Sequence, residues 1–203
     1  MYKINDSLLE RKNKKIKSDF AFLRAIAFIA LIVVVITTLS TYVFFNVVVD
    51  GASMKPTLYS GDVLIANRTL KCERGSLVVI DGVKEKEDGG YYWLIKRVIA
   101  MEGDFVEIKD GDVYVNGNLL EEPYLANGTY TDNAVGENSW TARTLLEGEI
   151  FYLGDNRGNS ADSRTYGTCN QNQIVGVVEE WSLGMRGFIK AIYNLGRIFR
   201  GGH

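Results

Sequence analysis

The sequence has a single histidine, His203, which is its last residue. This argues against a Ser-His-Asp triad, which needs a histidine held between the other two residues. One histidine and two widely separated cysteines, Cys72 and Cys169, make no ligand cluster for a metal ion. No glycine-rich phosphate loop precedes a helix. The sequence therefore predicts neither a metal ion nor another cofactor.

Proline is also scarce, with two residues in 203, so most of the chain is expected to fold. The net charge of -2 hides an uneven distribution. Residues 1–24 carry seven basic and three acidic side chains, whereas residues 25–185 carry 12 basic and 22 acidic ones. An acidic central region argues against nucleic-acid binding, which requires a basic face. The basic ends suit an anionic membrane surface.

Charge is absent from one long segment. Residues 25–45 form 21 consecutive positions without a charged residue, proline or glycine. As a helix this length spans roughly 30 Å, the thickness of the hydrocarbon core of a bilayer. A buried core helix would show a polar stripe, and a cleaved signal peptide has a shorter apolar region. The sequence predicts a transmembrane helix at 25–46, with a basic cytoplasmic tail at 1–24 and the remainder outside.

Beyond this segment, short runs of β-branched residues alternate with glycine, asparagine and aspartate, which predicts a mostly β domain. Asn116-Gly117 is the strongest hairpin signal. Strands are predicted at 63–66, 77–80, 91–101, 113–117, 149–153 and 174–181.

The predicted strand at 91–101 carries a lysine on an otherwise apolar face. Alternation places Lys96 with Tyr92, Leu94, Val98 and Ala100. The lysine could belong to an edge strand and reach water. If it is buried instead, its pKa falls, because burial disfavours the charged form. A neutral lysine could then act as a general base.

Such a base would activate a serine, and Ser53 lies in a loop just after the apolar segment. Serine in a Gly/Pro-rich loop is often only a turn residue. Within the residue inventory, however, serine plus lysine is the catalytic combination that the sequence supports best.

Three segments, in this order after the apolar run, resemble the signature sequences of the type I bacterial signal peptidases. They are Ser53-Met54-Lys55-Pro56-Thr57-Leu58, Lys96-Arg97-Val98 followed by Gly103-Asp104, and Gly154-Asp155-Asn156 followed by Ser160-Ala161-Asp162-Ser163-Arg164. Residues 115–117 and 122–124 also resemble the family, and the likeness covers roughly residues 46–182. It implies a membrane-anchored endopeptidase that removes signal peptides from exported preproteins with a Ser/Lys dyad. It also implies a β-rich catalytic core at 47–103 and 149–185, with a small β cap inserted at 104–148.

Carried over position by position, the resemblance makes Ser53 the nucleophile, with its backbone N–H as one oxyanion donor, and Lys96 the general base. Ser160 would hold the lysine amine, while Asp162 and Arg164 would form a supporting ion pair.

The resemblance also implies shallow apolar pockets for small substrate side chains at positions -1 and -3, formed by Val49, Leu94 and Ile95. Gly51 departs from the pattern, because some relatives have there a serine whose hydroxyl completes the oxyanion hole. Residues 175–179 are less typical as well.

The implied partners are preprotein signal peptides and membrane lipid, with the secretion translocon left open and no nucleic acid. The implied location is the outer face of a bacterial cell membrane, reached by a single pass with the N-terminus in the cytoplasm. Two other classes of protein are alternatives to this function. A non-catalytic, membrane-tethered assembly factor could lose the serine or the lysine. A self-cleaving Ser/Lys repressor would need a DNA-binding domain and no membrane span.

The segment 186–203 is predicted to be a basic amphipathic tail. Phe188, Ile192, Leu195 and Phe199 recur at helical spacing, and Ile189 and Ile198 widen their face. The helix could pack on the catalytic domain or lie on the outer leaflet, and we favour the leaflet. Whether the two cysteines form a disulfide stays open at this point.

Overall fold

The computed structural model describes residues 6–85, 89, 91–135 and 138–199. The chain divides into two compact units between Val43 and Phe44. Parts of the predicted N-terminal and C-terminal tails, including Lys3, Arg200 and His203, lie outside the described residues.

The first unit contains one long helix, α1 (Asp6–Val43). Among the described residues it is the one helix long and apolar enough to cross a membrane, over Lys14–Val43. Four of its hydroxyl side chains need no polar partner outside the helix, because Thr37, Thr38, Ser40 and Thr41 each donate to a carbonyl three or four residues earlier. The helix begins well before the predicted start at residue 25 and ends three residues before the predicted end at 46.

The second unit is built mainly of strands, as the sequence predicts. The strands are β1 (Phe44–Val48), β2 (Val63–Asn67), β3 (Leu77–Glu85), β4 (Tyr91–Met101), β5 (Phe105–Lys109), β6 (Asp112–Val115), β7 (Asn118–Leu119), β8 (Ala134–Val135), β9 (Asn138–Ser139), β10 (Arg143–Thr144), β11 (Glu149–Leu153), β12 (Cys169–Asn170) and β13 (Ile174–Val178). The helices are α2 (Ser163–Tyr166) and α3 (Glu180–Phe199), with 3-10 turns at Arg157–Asn159 and Gln171–Gln173.

The strands form a large antiparallel sheet in the order β1-β2-β13-β3-β4-β11-β12. A four-stranded sheet has the order β10-β5-β6-β7, and β8 pairs with β9. These smaller sheets lie, in sequence, between β4 and β11, within the segment assigned to the cap. The mostly β fold class is therefore confirmed.

The large sheet is buried on both faces, which explains its continuous apolar runs. Along β3, Leu77 and Val79 join one core cluster with Met54 and Leu58, whereas Val78 and Ile80 join another. A third cluster joins the four-stranded sheet to β4 and β11. It includes Ile99, Val106, Ile108, Val113, Trp140, Phe151 and Leu153.

The hairpin at Asn116-Gly117 is present and joins β6 to β7. Both residues have a positive φ, 54° and 76°, as a type I′ turn requires.

The strand predicted at 174–181 is too long. β13 ends at Val178, and α3 begins at Glu180. The Glu179 backbone N–H still donates to the Ile65 carbonyl at 2.9 Å, but Ser182 turns back onto the Glu179 carbonyl through both its N–H and its hydroxyl. These bonds start a helix where the sequence pattern continues to favour a strand.

The cysteine question is resolved in favour of free thiols. Cys72 and Cys169 are both buried and unpaired, and they belong to the same apolar cluster. Burial raises the pKa of both thiols, that of Cys169 to about 12.

Candidate active site

Ser53 lies in a tight loop between β1 and β2, and both ends of that loop are closed by backbone hydrogen bonds. The Val49 N–H donates to the Asp62 carbonyl at 2.9 Å, and the Gly61 N–H donates to the Val49 carbonyl at 2.8 Å. Met54 and Leu58, which are 2% and 0% exposed, anchor the loop in the core. Ser53 itself stays half-buried, so its hydroxyl can reach a cleft.

Two glycines permit the backbone path around Ser53. Gly51 has a φ of +93°, a conformation that other residues rarely adopt. A Cβ on Gly154 would lie 2.5 Å from the Ser53 carbonyl oxygen and 2.2 Å from Ser160 Oγ. The loop after β11 can therefore approach Ser53 closely because residue 154 has no side chain.

Asn156 fixes this approach by hydrogen bonds to the serine loop. Its backbone N–H donates to the Ser53 carbonyl at 2.9 Å, and its side-chain amide donates to the Ala52 carbonyl at 3.0 Å. The carbonyl groups before and after the Ser53 N–H, those of Ala52 and Ser53, are thus both bound by Asn156.

Lys96 reaches Ser53 from the central part of β4. The side chain is buried, with the residue 3% exposed, and Nζ donates to Ser53 Oγ at 2.7 Å. This separation is within the reach that proton transfer between a base and a hydroxyl requires. The structure therefore brings together the two residues that the sequence analysis assigned to the dyad.

The Asp162–Arg164 ion pair expected from the sequence is present. Arg164 Nε and Nη2 donate to the two Asp162 oxygens, each at 2.9 Å, and both side chains are fully buried. Asp162 also accepts from the Gly154 N–H at 3.0 Å, and Arg164 donates to the Arg157 carbonyl at 2.9 Å. The pair therefore fixes the shape of the loop that approaches Ser53.

Ser160, which the resemblance assigns to holding the lysine amine, forms no side-chain hydrogen bond with the described residues. Its hydroxyl is buried beside Gly154. The expected hydrogen bond between Ser160 and the amine of Lys96 is therefore not formed in this structure.

The sequence analysis assigned no role to Asp155 or Arg97, although both lie within the quoted segments. Arg97 Nε and Nη2 donate to the two Asp155 oxygens at 2.9 and 2.7 Å, and the Thr57 hydroxyl donates to the same carboxylate. Arg97 also donates to the Gly75 carbonyl at 2.9 Å. One buried carboxylate thus ties the lysine strand to the serine loop. The sequence signal for this contact is the presence of one charged residue of each sign in two of the quoted segments, Arg97 in one and Asp155 in the other.

Two residues of the segment between β4 and β11 contact the surroundings of the site. Glu122 contacts Arg157 of the loop after β11, and Tyr124 contacts Arg97 of β4. Arg157, 2% exposed, forms an ion pair with Glu122 and donates to Thr131 at 2.6 Å. The Arg97 guanidinium lies 3.8 Å from the Tyr124 ring centroid, and the Tyr124 hydroxyl donates to Glu122 at 2.7 Å. Burial, and then the charge of Glu122, raise the pKa of Tyr124. This phenol is therefore a neutral structural contact.

A cleft of about 200 Å³ opens beside Ser53 and Lys96. Its lining includes Val49, Leu94 and Ile95, the three residues expected to form apolar pockets. The volume is below the usual range for ligand pockets, so the cleft suits small side chains. Within the described residues, no group of histidine, cysteine and acidic side chains could hold a metal ion.

Residues 22–182 match the protein family described as signal peptidase, peptidase S26. The chain is 39% identical over 158 residues to signal peptidase I of Bacillus caldolyticus, an alignment that covers 72% of this chain and 84% of that protein. It is 33% identical over 175 residues to signal peptidase I of Bacillus licheniformis, covering 82% and 90%. A solved signal peptidase I from Enterococcus faecalis is 31% identical and covers 54% of this chain and 98% of its own, with a TM-score of 0.44.

Proposed function

Because the chain belongs to the signal peptidase family, peptidase S26, and is a serine peptidase that cleaves signal peptides, we propose that it does so with a Ser53/Lys96 dyad. We further propose that it works from a membrane anchor. The observation that carries the dyad is the 2.7 Å hydrogen bond between the buried Lys96 amine and the Ser53 hydroxyl.

In the proposed reaction, neutral Lys96 accepts the proton of Ser53 as Oγ attacks the carbonyl carbon of the scissile bond. The Ser53 backbone N–H stabilises the oxyanion that forms. The resulting Lys96 ammonium then gives its proton to the departing amine, which leaves an acyl-enzyme. Lys96 next takes a proton from water, whose oxygen attacks the ester, and the proton returns to Ser53 Oγ as the acyl group leaves.

The surrounding contacts support this chemistry by fixing the two partners. The Arg97–Asp155 pair lies against Thr57 of the serine loop, and the Asp162–Arg164 pair fixes the loop after β11 that contacts Ser53. We propose Ser160 as a positioning residue, because a buried hydroxyl without a partner can accept from the Lys96 ammonium once that charge forms.

The substrate preference follows from the cleft. Val49, Leu94 and Ile95 form a small apolar surface next to the dyad, which suits small residues at positions -1 and -3 of the precursor.

The proposed anchor is α1, with the N-terminus in the cytoplasm and the catalytic unit on the outer face. Lysines precede the apolar part of α1, as the positive-inside rule requires of a cytoplasmic end. Ser53 follows the end of α1 by ten residues of sequence. A precursor held in the same bilayer by its own apolar segment would meet the enzyme at high effective concentration. Membrane lipid is then a partner of the protein, and the translocon is a further proposed one.

To test this function, the full chain is reconstituted in vesicles with a precursor that carries a signal peptide. We expect cleavage at one site after small residues, identified by the mass and N-terminal sequence of the product. Ser53→Ala, reconstituted in the same way, should leave the precursor intact. An intact precursor with folded wild-type protein would instead favour a non-catalytic assembly role, and cleavage by Ser53→Ala would refute the assignment of the nucleophile.

A further inference from the structure

The helix α3 has two apolar faces, of which one is used inside the catalytic unit. Ile189 is 8% exposed, and Leu183 packs against the core cluster that contains Met54 and Leu58. Arg186 donates to the Thr57 carbonyl at 2.8 Å and lies 3.8 Å from the Asp62 carboxylate. The helix is therefore fixed to the loop that carries Ser53.

The second face consists of five large apolar side chains that remain exposed. They are Trp181, Met185, Phe188, Ile192 and Leu195, each 45–61% exposed. Their spacing of four, three, four and three residues places them on one stripe, which we call the α3 stripe. The stripe is about 20 Å long at 1.5 Å per residue.

The sequence allows this helix either to pack on the catalytic domain or to lie on the outer leaflet, and the structure shows packing through one face only. Phe188, Ile192 and Leu195 point away from the unit, while Ile189, expected on the same face, packs inward. The side chains of Ile198 and Phe199 lie outside the part of the chain that the structure describes. The helix thus packs with one face and presents the other. An exposed apolar stripe of this size marks an interaction surface in a folded domain.

The stripe continues to the strand that follows α1. A groove of about 270 Å³ is lined by α3 residues together with Ile65 and Asn46, and Asn46 also lines the catalytic cleft. Asn46 is three residues beyond the end of α1 at Val43. Three residues of chain span at most about 10 Å. If α1 spans a bilayer as far as Val43, this end of the groove is close to the membrane surface.

We propose that the α3 stripe lies in the interfacial region of the same bilayer that α1 spans, which makes α3 a second membrane contact. The proposal rests on the proposed membrane anchor. A lipid surface suits the helix because the exposed Lys190 and Arg197 give its described part positive charge in addition to Arg186, which is bound to Thr57 and Asp62, against the single acid Glu180. Trp181 at one end of the stripe is typical of membrane interfaces.

The consequence for catalysis is a fixed height of the active site. Because Arg186 and Leu183 hold α3 against the Ser53 loop, lipid contact by α3 keeps that loop at a set distance from the membrane surface. The family match ends at residue 182, near the start of α3, so four of the five stripe residues lie beyond the matched region.

The test uses full-length protein in phosphatidylcholine–phosphatidylglycerol vesicles. Leu195→Cys on the stripe and the matched control Asn194→Cys on the exposed polar side are each labelled with an environment-sensitive dye. The native thiols are 6% and 2% exposed, and the labelled parent protein measures their background. Nitroxide-bearing lipid should quench the dye at 195 at least about threefold more strongly than the dye at 194, since only the stripe enters the interface.

Two further readings in the same vesicles separate this proposal from the proposed function. Precursor cleavage reports on the dyad, and resistance of the protein to alkaline carbonate extraction reports on the α1 anchor. Equal quenching at 195 and 194 in protein that cleaves and resists extraction overturns the lipid contact alone. A different result would favour contact with a second copy of this chain and overturn the lipid contact. In that case the dye at 195 is shielded from water and self-quenches between copies, but nitroxide lipid does not quench it. Loss of the protein on extraction overturns the anchor, and with it a contact with the same bilayer.

Discussion

Adjacent residues of β4 have opposite tasks in this protein. Lys96 points into the cleft and contacts the Ser53 hydroxyl, whereas Arg97 points to the other side and binds Asp155 with two nitrogens. An amine can gain or lose a proton near neutral pH when buried, but a guanidinium stays charged. The alternation of a strand therefore lets one segment supply both a proton acceptor and a permanent structural charge.

Exchanging the two cations should break this division most severely. Lys96→Arg should lower kcat/KM by about 10⁴-fold or more, because arginine cannot accept the serine proton. The variant should remain folded by thermal unfolding and circular dichroism. Arg97→Lys is the matched control, and it should retain cleavage while losing stability, since lysine cannot form the two-nitrogen contact with Asp155. Substantial cleavage by Lys96→Arg would remove Lys96 from the role of general base.

The supporting side can be broken at its carboxylate. Asp155→Asn leaves the buried Arg97 without its counter-charge, which should lower the free energy of unfolding by about 3–5 kcal/mol in a denaturant titration. The rate of cleavage should also fall, because the uncharged amide of the variant cannot form an ion pair with Arg97 and also accept the hydrogen bond of the Thr57 hydroxyl. Asp62→Asn is the control, since its partner Arg186 is 41% exposed and 3.8 Å away. Equal losses in the two variants would mean that burial of the Arg97–Asp155 pair has no special structural weight.

The same contrast explains what the sequence could predict of the site. The alternation of residues 91–101 predicted the buried face of Lys96, because the side-chain direction in a strand depends on local geometry alone. The Asp162–Arg164 pair was expected from the resemblance, and its members are two residues apart within one segment. By contrast, the Arg97–Asp155 and Glu122–Arg157 pairs join residues 58 and 35 positions apart, which only the tertiary fold brings together.

The errors have a similar origin. The predicted span continued to residue 46 because hydropathy does not distinguish the last turn of an apolar helix from the first residues of an apolar strand. Pairing of Phe44 with Asn67 decides the boundary, and that pairing is a contact between distant segments. The role of Ser160 is implied by the resemblance alone, and its hydroxyl, beside Gly154, has no hydrogen-bond partner among the described residues.

A pH profile sharpens the distinction between the two cations. If Lys96 must be neutral, kcat/KM should rise with pH by about tenfold per unit while the ammonium form predominates, and then level off. A guanidinium does not lose its proton over this range, so the profile reports on the amine alone. The profile is measured with a peptide substrate from about pH 5 to about pH 10, with circular dichroism at each point. Activity that stays flat across this range in folded protein would contradict a lysine base.

The smallest expected effect on stability concerns the Arg143–Glu149 ion pair at the surface. It is the weak case with which the buried Arg97–Asp155 pair is compared. Glu149 accepts hydrogen bonds from Arg143, Thr168 and the Leu146 backbone N–H. The Arg143 bond lowers the pKa of Glu149 most, and although partial burial opposes it, the pKa falls to about 2. Because the folded pKa lies below the unfolded value, the stabilisation is complete above about pH 4.5 and is lost as the pH falls toward 2.

Glu149→Gln should therefore destabilise the protein at neutral pH but much less at acidic pH. Arg143 is 38% exposed, so solvent screening limits the loss at neutral pH to below about 1 kcal/mol. Urea midpoints of the wild type and the variant, measured between about pH 7 and about pH 3, give the difference as a function of pH. Glu147→Gln, at an exposed neighbouring carboxylate, is the control and should show no such trend. A difference that does not shrink as the pH falls would mean that Glu149 acts through packing, so that ionic support in this domain is confined to its buried pairs.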